Sequence, residues 1–221
     1  MATPRSQRIG IWVIAIVLTI GTLGSFLAII LSNQNKTTDQ TKLQKAYADY
    51  QVKSSVYSTK LAAQTKTLSD KYYSDFQQYS SVPATFDAKS VKNLVKQDLK
   101  IGDGAELKSD TPYSAYYIVW GPKGTVYDQS IDKGALKSPI ASNLVALTGW
   151  KNGVIGMKEG GVRELTLPSD QAYGASGNGN IGANTPLKFI VLVIPKVDEI
   201  PQPQMPQILL DYYKTQQSGT Q

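Results

Sequence analysis

The rhythm of hydrophobic positions changes twice along this chain. From Ile9 to Leu31 no charged side chain occurs, and Ile, Leu, Val and Ala dominate. A helix crosses a bilayer core with about 20 apolar residues. This run therefore predicts a transmembrane anchor at 9–31 behind a short tail at 1–8. A cleaved leader would carry an apolar region of about 7–15 residues ending in a small-x-small site. Here the run is longer and ends Ala28-Ile29-Ile30-Leu31-Ser32. Beyond it, Asp39 to Tyr79 contains no Gly or Pro, and Leu43, Tyr47, Tyr50, Tyr57, Leu61, Leu68 and Tyr72 recur at gaps of 4, 3, 7, 4, 7 and 4. That helical spacing predicts a Tyr-rich stalk over 32–82. Ser54 and Gln64 interrupt its apolar seam, so a homodimer through the stalk and a single helix packed on its own domain both stay open.

After Val82-Pro83 the period shortens. Tyr113 to Trp120 is aromatic and β-branched and predicts a strand. Gly121-Pro122-Lys123-Gly124 breaks it and Thr125-Val126-Tyr127 resumes it, as in a hairpin. Val162 to Leu167 alternates as a half-buried strand, and Pro186 to Val197 carries the apolar run of a final one. Leu147 to Met157 is the one short helix candidate. Gly174 to Asn180 is too glycine-rich for regular structure and reads as a functional loop. These elements predict an α+β domain at 83–197, a mostly antiparallel sheet wrapped on one short helix. A tail at 198–221 follows, with Pro201, Pro203 and Pro206 ahead of Ile208 to Tyr213. Its apolar end is expected to dock on the chain itself rather than on a partner.

Composition narrows the chemistry. The 221 residues include no histidine and no cysteine. A Ser-His-Asp or Cys-His nucleophile, a redox dithiol and a His/Cys zinc site are therefore excluded. What remains is work done by carboxylates, lysines or tyrosines, or catalysis without an acid–base group. Neither a metal nor a cofactor is implied. The net charge of +6 is concentrated early: residues 1–82 carry nine Lys/Arg against four Asp, while 83–221 are nearly balanced. A near-neutral folded part argues against nucleic acid, and basic residues near the apolar run suit an anionic lipid surface. Arg5 and Arg8 precede the run and Lys36, Lys42 and Lys45 follow it. The arrangement expected is a single pass through the cell membrane, with a short inner tail and the large domain extracytoplasmic.

Seven fragments then fall in a telling order: Gly102-Asp103-Gly104, Tyr127-Asp128, Leu147-Thr148-Gly149-Trp150, Gly153 to Met157, Leu167-Pro168, Ala172-Tyr173-Gly174, and Ala183-Asn184-Thr185 through Phe189. Together they resemble the FK506-binding-protein (FKBP-type) family of peptidyl-prolyl cis-trans isomerases, over roughly Lys96 to Val197. The resemblance implies a half-open twisted sheet curled around the short helix, leaving an aromatic cleft. Trp150 would be its floor, and Tyr117, Tyr127, Tyr173 and Phe189 its walls. Leu147 would offer its backbone N–H to the substrate, with Ala146 beside it. Asp128 would lie near the twisting carbonyl, and Ile181 would close one side. Where the family usually has Phe-Asp, this chain has Tyr127-Asp128. A phenylalanine expected between Leu136 and Ile140 is missing.

Such a site needs no histidine. Amide resonance sets a barrier of about 18–20 kcal/mol to rotation, and uncatalysed X-Pro exchange takes about tens to hundreds of seconds. Twisting leaves the carbonyl less polar, so a dry apolar cleft favours the twisted amide over the planar one. The expected function is a membrane-anchored isomerase that assists folding of extracytoplasmic proteins, with proline-containing polypeptides as substrates. The rival reading is a binding module that holds extended proline-containing chains with little turnover.

Overall fold

The computed structural model describes residues 38–218. The tail at 1–8 and the apolar run at 9–31 lie outside them. Among the described residues no helix is long and apolar enough to cross a membrane. Within the described residues the chain divides into two units, one spanning Gln64–Asp198 and the other made of residues 38–63 with 199–218.

Helix α1 runs from Thr38 to Gln77 and ends in a 3-10 turn at Gln78–Ser81. The last third of the segment expected as stalk thus belongs to the larger unit. That unit continues with β1 (Val95–Lys100), β2 (Tyr113–Trp120), β3 (Val126–Gln129), the short pair β4 (Ile131–Asp132) and β5 (Ala135–Leu136), β6 (Ile140–Ala141), helix α2 (Thr148–Val154), β7 (Val162–Leu167) and β8 (Leu187–Pro195). The main sheet has the order β1-β7-β8-β2-β3, with β6 also paired to β2, and every pairing is antiparallel. In the β4–β5 turn both Lys133 (φ 46) and Gly134 (φ 78) are left-handed. Two such residues match the twist of a two-residue hairpin.

Strands β2 and β8 are buried along nearly their whole length. Side chains alternate across a strand, so each face of the sheet needs its own cover. On one face Tyr113, Ala115, Val119, Phe189, Val191 and Val193 join Trp150 and Val154 of α2 in a core. On the other, Tyr116, Ile118, Trp120, Ile190, Leu192 and Ile194 pack with Phe76 of α1, while Leu68, Tyr72 and Tyr73 lie against them. The sequence pattern predicted one helix for this sheet, and the structure has two. The alternate, even-numbered apolar residues of β2 and β8 supply the reason, because burying each such side chain is worth about 1.5–3 kcal/mol. Hydrogen bonds add to this cover: Leu136 N–H donates to Ser69 Oγ at 2.9 Å, and the Thr65 and Ser138 hydroxyls are 2.7 Å apart.

The glycine-rich loop is more ordered than its composition suggests. After a 3-10 turn at Gly174–Ser176, Asn178 and Ile181 exchange backbone hydrogen bonds across a tight tip. In the smaller unit, α3 (Gln207–Ser218) follows the prolines, and Tyr213 lies near Tyr47 and Tyr50 of α1. The tail therefore meets the first part of the α1 seam.

Candidate active site

The short helix α2 is placed by its glycines. A Cβ on Gly149 would stand 2.6 Å from the Leu167 side chain, and one on Gly153 would stand 2.6 Å from Leu165. Only glycine lets α2 lie this close to β7. The helix's far end is fastened by cations, which the carbonyls of a helix C-terminus attract. Arg163 Nη1 donates to Gly153 O at 2.8 Å and to Ile155 O at 3.1 Å, and Lys96 Nζ donates to Asn152 O at 2.6 Å. Arg163 is 6% exposed, and Asp98 pairs it through two bonds of 2.6 and 3.1 Å. A buried charge needs such a partner. Burial, and next the Arg163 charge, hold the Lys96 amine below its usual value, with Asp98 opposing.

Trp150 is carried on α2 and is 3% exposed. Tyr117 of β2 meets its ring edge-on, with centroids 5.6 Å apart and planes at 78°, and Phe189 of β8 does so at 5.2 Å and 77°. Aromatic quadrupoles favour this T-shaped contact. The register opposes Val119 to Phe189 and Tyr117 to Val191, so the two rings are diagonal neighbours on one sheet face. Leu147 precedes the first helical turn in extended backbone, and its N–H has no backbone acceptor among the described residues. Its side chain is buried in the same core, as is Ile181, and Tyr127 and Tyr173 pack against that core half-buried. The Tyr127 ring fits because residue 121 is glycine: a Cβ there would stand 2.6 Å from its hydroxyl. Ala146 is exposed and is not gathered in.

The polar edge of the site is a small network. Tyr117 Oη donates to Asp128 Oδ2 at 2.5 Å. Asp128 Oδ1 accepts from Gln129 N–H at 2.7 Å and lies 3.5 Å from Lys137 Nζ. Burial, and then the bond to Asp128, keep the Tyr117 phenol far above its ordinary value of 10.0. It is therefore a proton donor throughout the physiological range. Ser130 ties the network to the sheet: its Oγ accepts from Tyr117 N–H at 2.9 Å, and its carbonyl accepts from Lys137 N–H at 2.8 Å.

Of the residues singled out by sequence, the structure brings Tyr117, Tyr127, Leu147, Trp150, Tyr173, Ile181 and Phe189 into or against one core, with Asp128 bound at its edge. Sequence reasoning passed over Ser130 and Lys137, whose contacts depend on how the β4–β5 hairpin folds. It also passed over Tyr113, whose hydroxyl accepts from Trp150 Nε1 at 3.0 Å. That residue was within reach, since strand alternation places Tyr113 on the face of Tyr117. Where the missing phenylalanine was expected, Ile140 packs against the aromatic core and Leu136 turns to the opposite one. Among the described residues no cluster of three acidic side chains could hold a metal.

The chain has clear relatives. Residues 104–194 match the family model described as FKBP-type peptidyl-prolyl cis-trans isomerase. An FK506-binding protein of Neisseria meningitidis serogroup A is 37% identical over 92 residues, which cover 40% of this chain and 82% of that one. A relative from Corynebacterium glutamicum, named as a probable FK506-binding protein, is 36% identical over 104 residues, covering 47% of this chain and 86% of the relative. The crystal structure of AtFKBP13 aligns with 47% of this chain and 93% of its own, at 27% identity and a TM-score of 0.42. The chain belongs to the FKBP-type family, and its larger unit carries a peptidyl-prolyl cis-trans isomerase.

Proposed function

We propose that the chain is a membrane-anchored prolyl isomerase that acts on extracytoplasmic proteins as they fold, and that the reaction takes place over Trp150. One observation carries the site: Tyr117 and Phe189 stand edge-on to a buried indole, while Tyr117 donates to a carboxylate at the rim. A proline ring lying on Trp150 is held by an apolar floor and by aromatic walls that include Tyr127 and Tyr173. The amide is stripped of water there. Since the twisted amide is less polar than the planar one, loss of water favours it. Leu147 N–H, without a backbone acceptor among the described residues, serves as the donor to the substrate. It fixes the peptide on one side of the rotating C–N bond while the other side turns. Asp128 sits where the carbonyl oxygen sweeps past, and its charge is shared with Tyr117 and Lys137.

The anchor rests on the 23 uncharged residues from Ile9 to Leu31, and the outward orientation on the short basic tail before them. On the helix seam, where a homodimer and a single packed helix both stay open, Tyr47 and Tyr50 lie near Tyr213 of the tail. A stalk dimer would have to compete with the tail for that stretch.

One observation favours the binding-module reading: Asp128 already receives a phenol, an amide and an ammonium group. Kinetics separate the two readings. We expect the full chain to accelerate cis-to-trans exchange in a proline tetrapeptide and Asp128→Val to slow it about tenfold or more, in line with loss of one aimed polar group. Peptide binding with no acceleration would favour the binding module. For the anchor, resistance of the chain to alkaline extraction from membranes is expected, together with digestion of residues 38–218 by protease added outside the cell. A chain released by alkali, or protected from that protease, would refute this part.

A further inference from the structure

The indole N–H makes a contact that the isomerase chemistry above does not use. Tyr113 opens β2, two alternations before Tyr117, and its hydroxyl accepts the Trp150 Nε1–H at 3.0 Å. Both residues are almost wholly buried, Tyr113 at 6% and Trp150 at 3% exposure. The N–H is the only polar group of the indole. In a site that works by being dry, it has three dispositions: left without a partner at a cost of about 1–3 kcal/mol, turned toward the substrate, or satisfied from behind.

The edge contacts do not choose among these. Tyr117 and Phe189 fix the distance and tilt of the Trp150 ring but accept no hydrogen bond from it, and the ring's outer torsion has two broad minima. A ring flipped end over end would keep much of the same contact and send its N–H elsewhere. The hydrogen bond to Tyr113 selects one of the two orientations. Its acceptor is fixed before the substrate arrives: Tyr113 is registered against Pro195 in the sheet, and its N–H donates to Ser142 Oγ at 3.3 Å. Burial also raises its phenol above the ordinary 10.0, which keeps it neutral.

We infer that Tyr113 is a positioning residue of the isomerase, which takes the indole N–H from behind so that Trp150 presents an apolar face to the proline. The inference rests on the reading of Trp150 as the floor. Tyr113 does not touch the reacting amide. It acts through the orientation of one ring, as a supporting shell holds a first-contact group in place. A bare stability role would give the same contact distance, so the test must separate the two.

The test uses the full chain as four proteins: unaltered, Tyr113→Phe, Trp150→Phe, and the double variant. Phenylalanine at 150 keeps an aromatic floor but has no N–H, so Tyr113→Phe has nothing left to disturb there. We expect Tyr113→Phe to move the Trp150 indole proton resonance upfield and to lower kcat/KM about two- to tenfold, the range of one hydrogen bond. In the Trp150→Phe background the same change should leave kcat/KM where it was. An equal loss in both backgrounds, an unmoved indole resonance, or an unchanged kcat/KM in Tyr113→Phe would each overturn the inference. The unaltered chain gives a check that needs no folded Tyr113 variant. The Raman band of the Trp150 indole N–H, isolated by difference against Trp150→Phe, should lie at its hydrogen-bonded position, and a free N–H position would also overturn the inference. Failure of the floor itself shows differently: Trp150→Phe and Trp150→Ala would both retain the unaltered rate.

Discussion

Tyr116 and Tyr117 are adjacent residues with opposite assignments. The strand turns Tyr117 toward the indole, where its hydroxyl finds Asp128. It turns Tyr116 under α1, where the ring meets Tyr72 and Phe76 at 6.2 and 6.3 Å and the hydroxyl has no hydrogen-bond partner among the described residues. Burial pushes the Tyr116 phenol well above its ordinary value. An unpartnered buried hydroxyl contributes nothing to offset its lost water. Tyr116→Phe should therefore leave the unfolding free energy unchanged or raise it by up to about 1 kcal/mol. Denaturant titration checks this, and a loss of 2 kcal/mol or more would mean that the hydroxyl is satisfied. At this scale the sequence was informative wherever a motif held the residue, as for Trp150 and Phe189, whose rings the structure sets edge-on. It was silent on Ser130 and Lys137, which are ordinary residues until the hairpin brings them to Asp128.

At the scale of elements, the boundaries of β2, β7 and β8 follow closely from aromatic, alternating and continuous apolar runs. The role of α1 does not. Its seam from Leu43 to Tyr72 has one rhythm, yet its C-terminal part packs on the sheet while Tyr47 and Tyr50 lie near the tail. Period reports a helix face without naming what covers it. The clue lay in the strands, since Tyr113 to Trp120 is apolar on both alternations and a sheet covered on one side is not. Phe76 is fully buried at the centre of this second core. Phe76→Ala should cost about 3–5 kcal/mol, the usual penalty for emptying such a site. A fragment starting at residue 64 should stay folded and monomeric, whereas one starting at 83 leaves Tyr116, Ile118 and Ile190 bare. Equal melting temperatures for the two fragments would contradict this account of the helix.

Across the whole chain, each of the two units carries a different message. The larger holds the seven family fragments and the aromatic site. The smaller brings Tyr213 near Tyr47 and Tyr50, and burial, followed by those neighbours and Tyr212, pushes the Tyr213 phenol up to about 12. An unfolded tyrosine releases its proton near 10, so the folded state retains a proton that the unfolded state has lost. The contribution is complete below about pH 10 and is lost as pH rises toward about 12. Helical signal from the tail should fall across that window and persist further in Tyr213→Phe. An identical alkaline transition in both proteins would remove Tyr213 from the explanation. The membrane anchor proposed for this chain rests on the residue run at 9–31 alone, which lies outside the described structure.

The most direct test of the central claim is the cis-to-trans exchange rate of a proline-containing tetrapeptide with the full chain and with Trp150→Ala, each checked for fold by circular dichroism. The account predicts clear acceleration by the unaltered chain, reduced at least about a hundredfold when the floor is removed, as expected for loss of a group that positions the reacting amide. Undiminished acceleration by a folded Trp150→Ala chain would place the reaction elsewhere on the molecule.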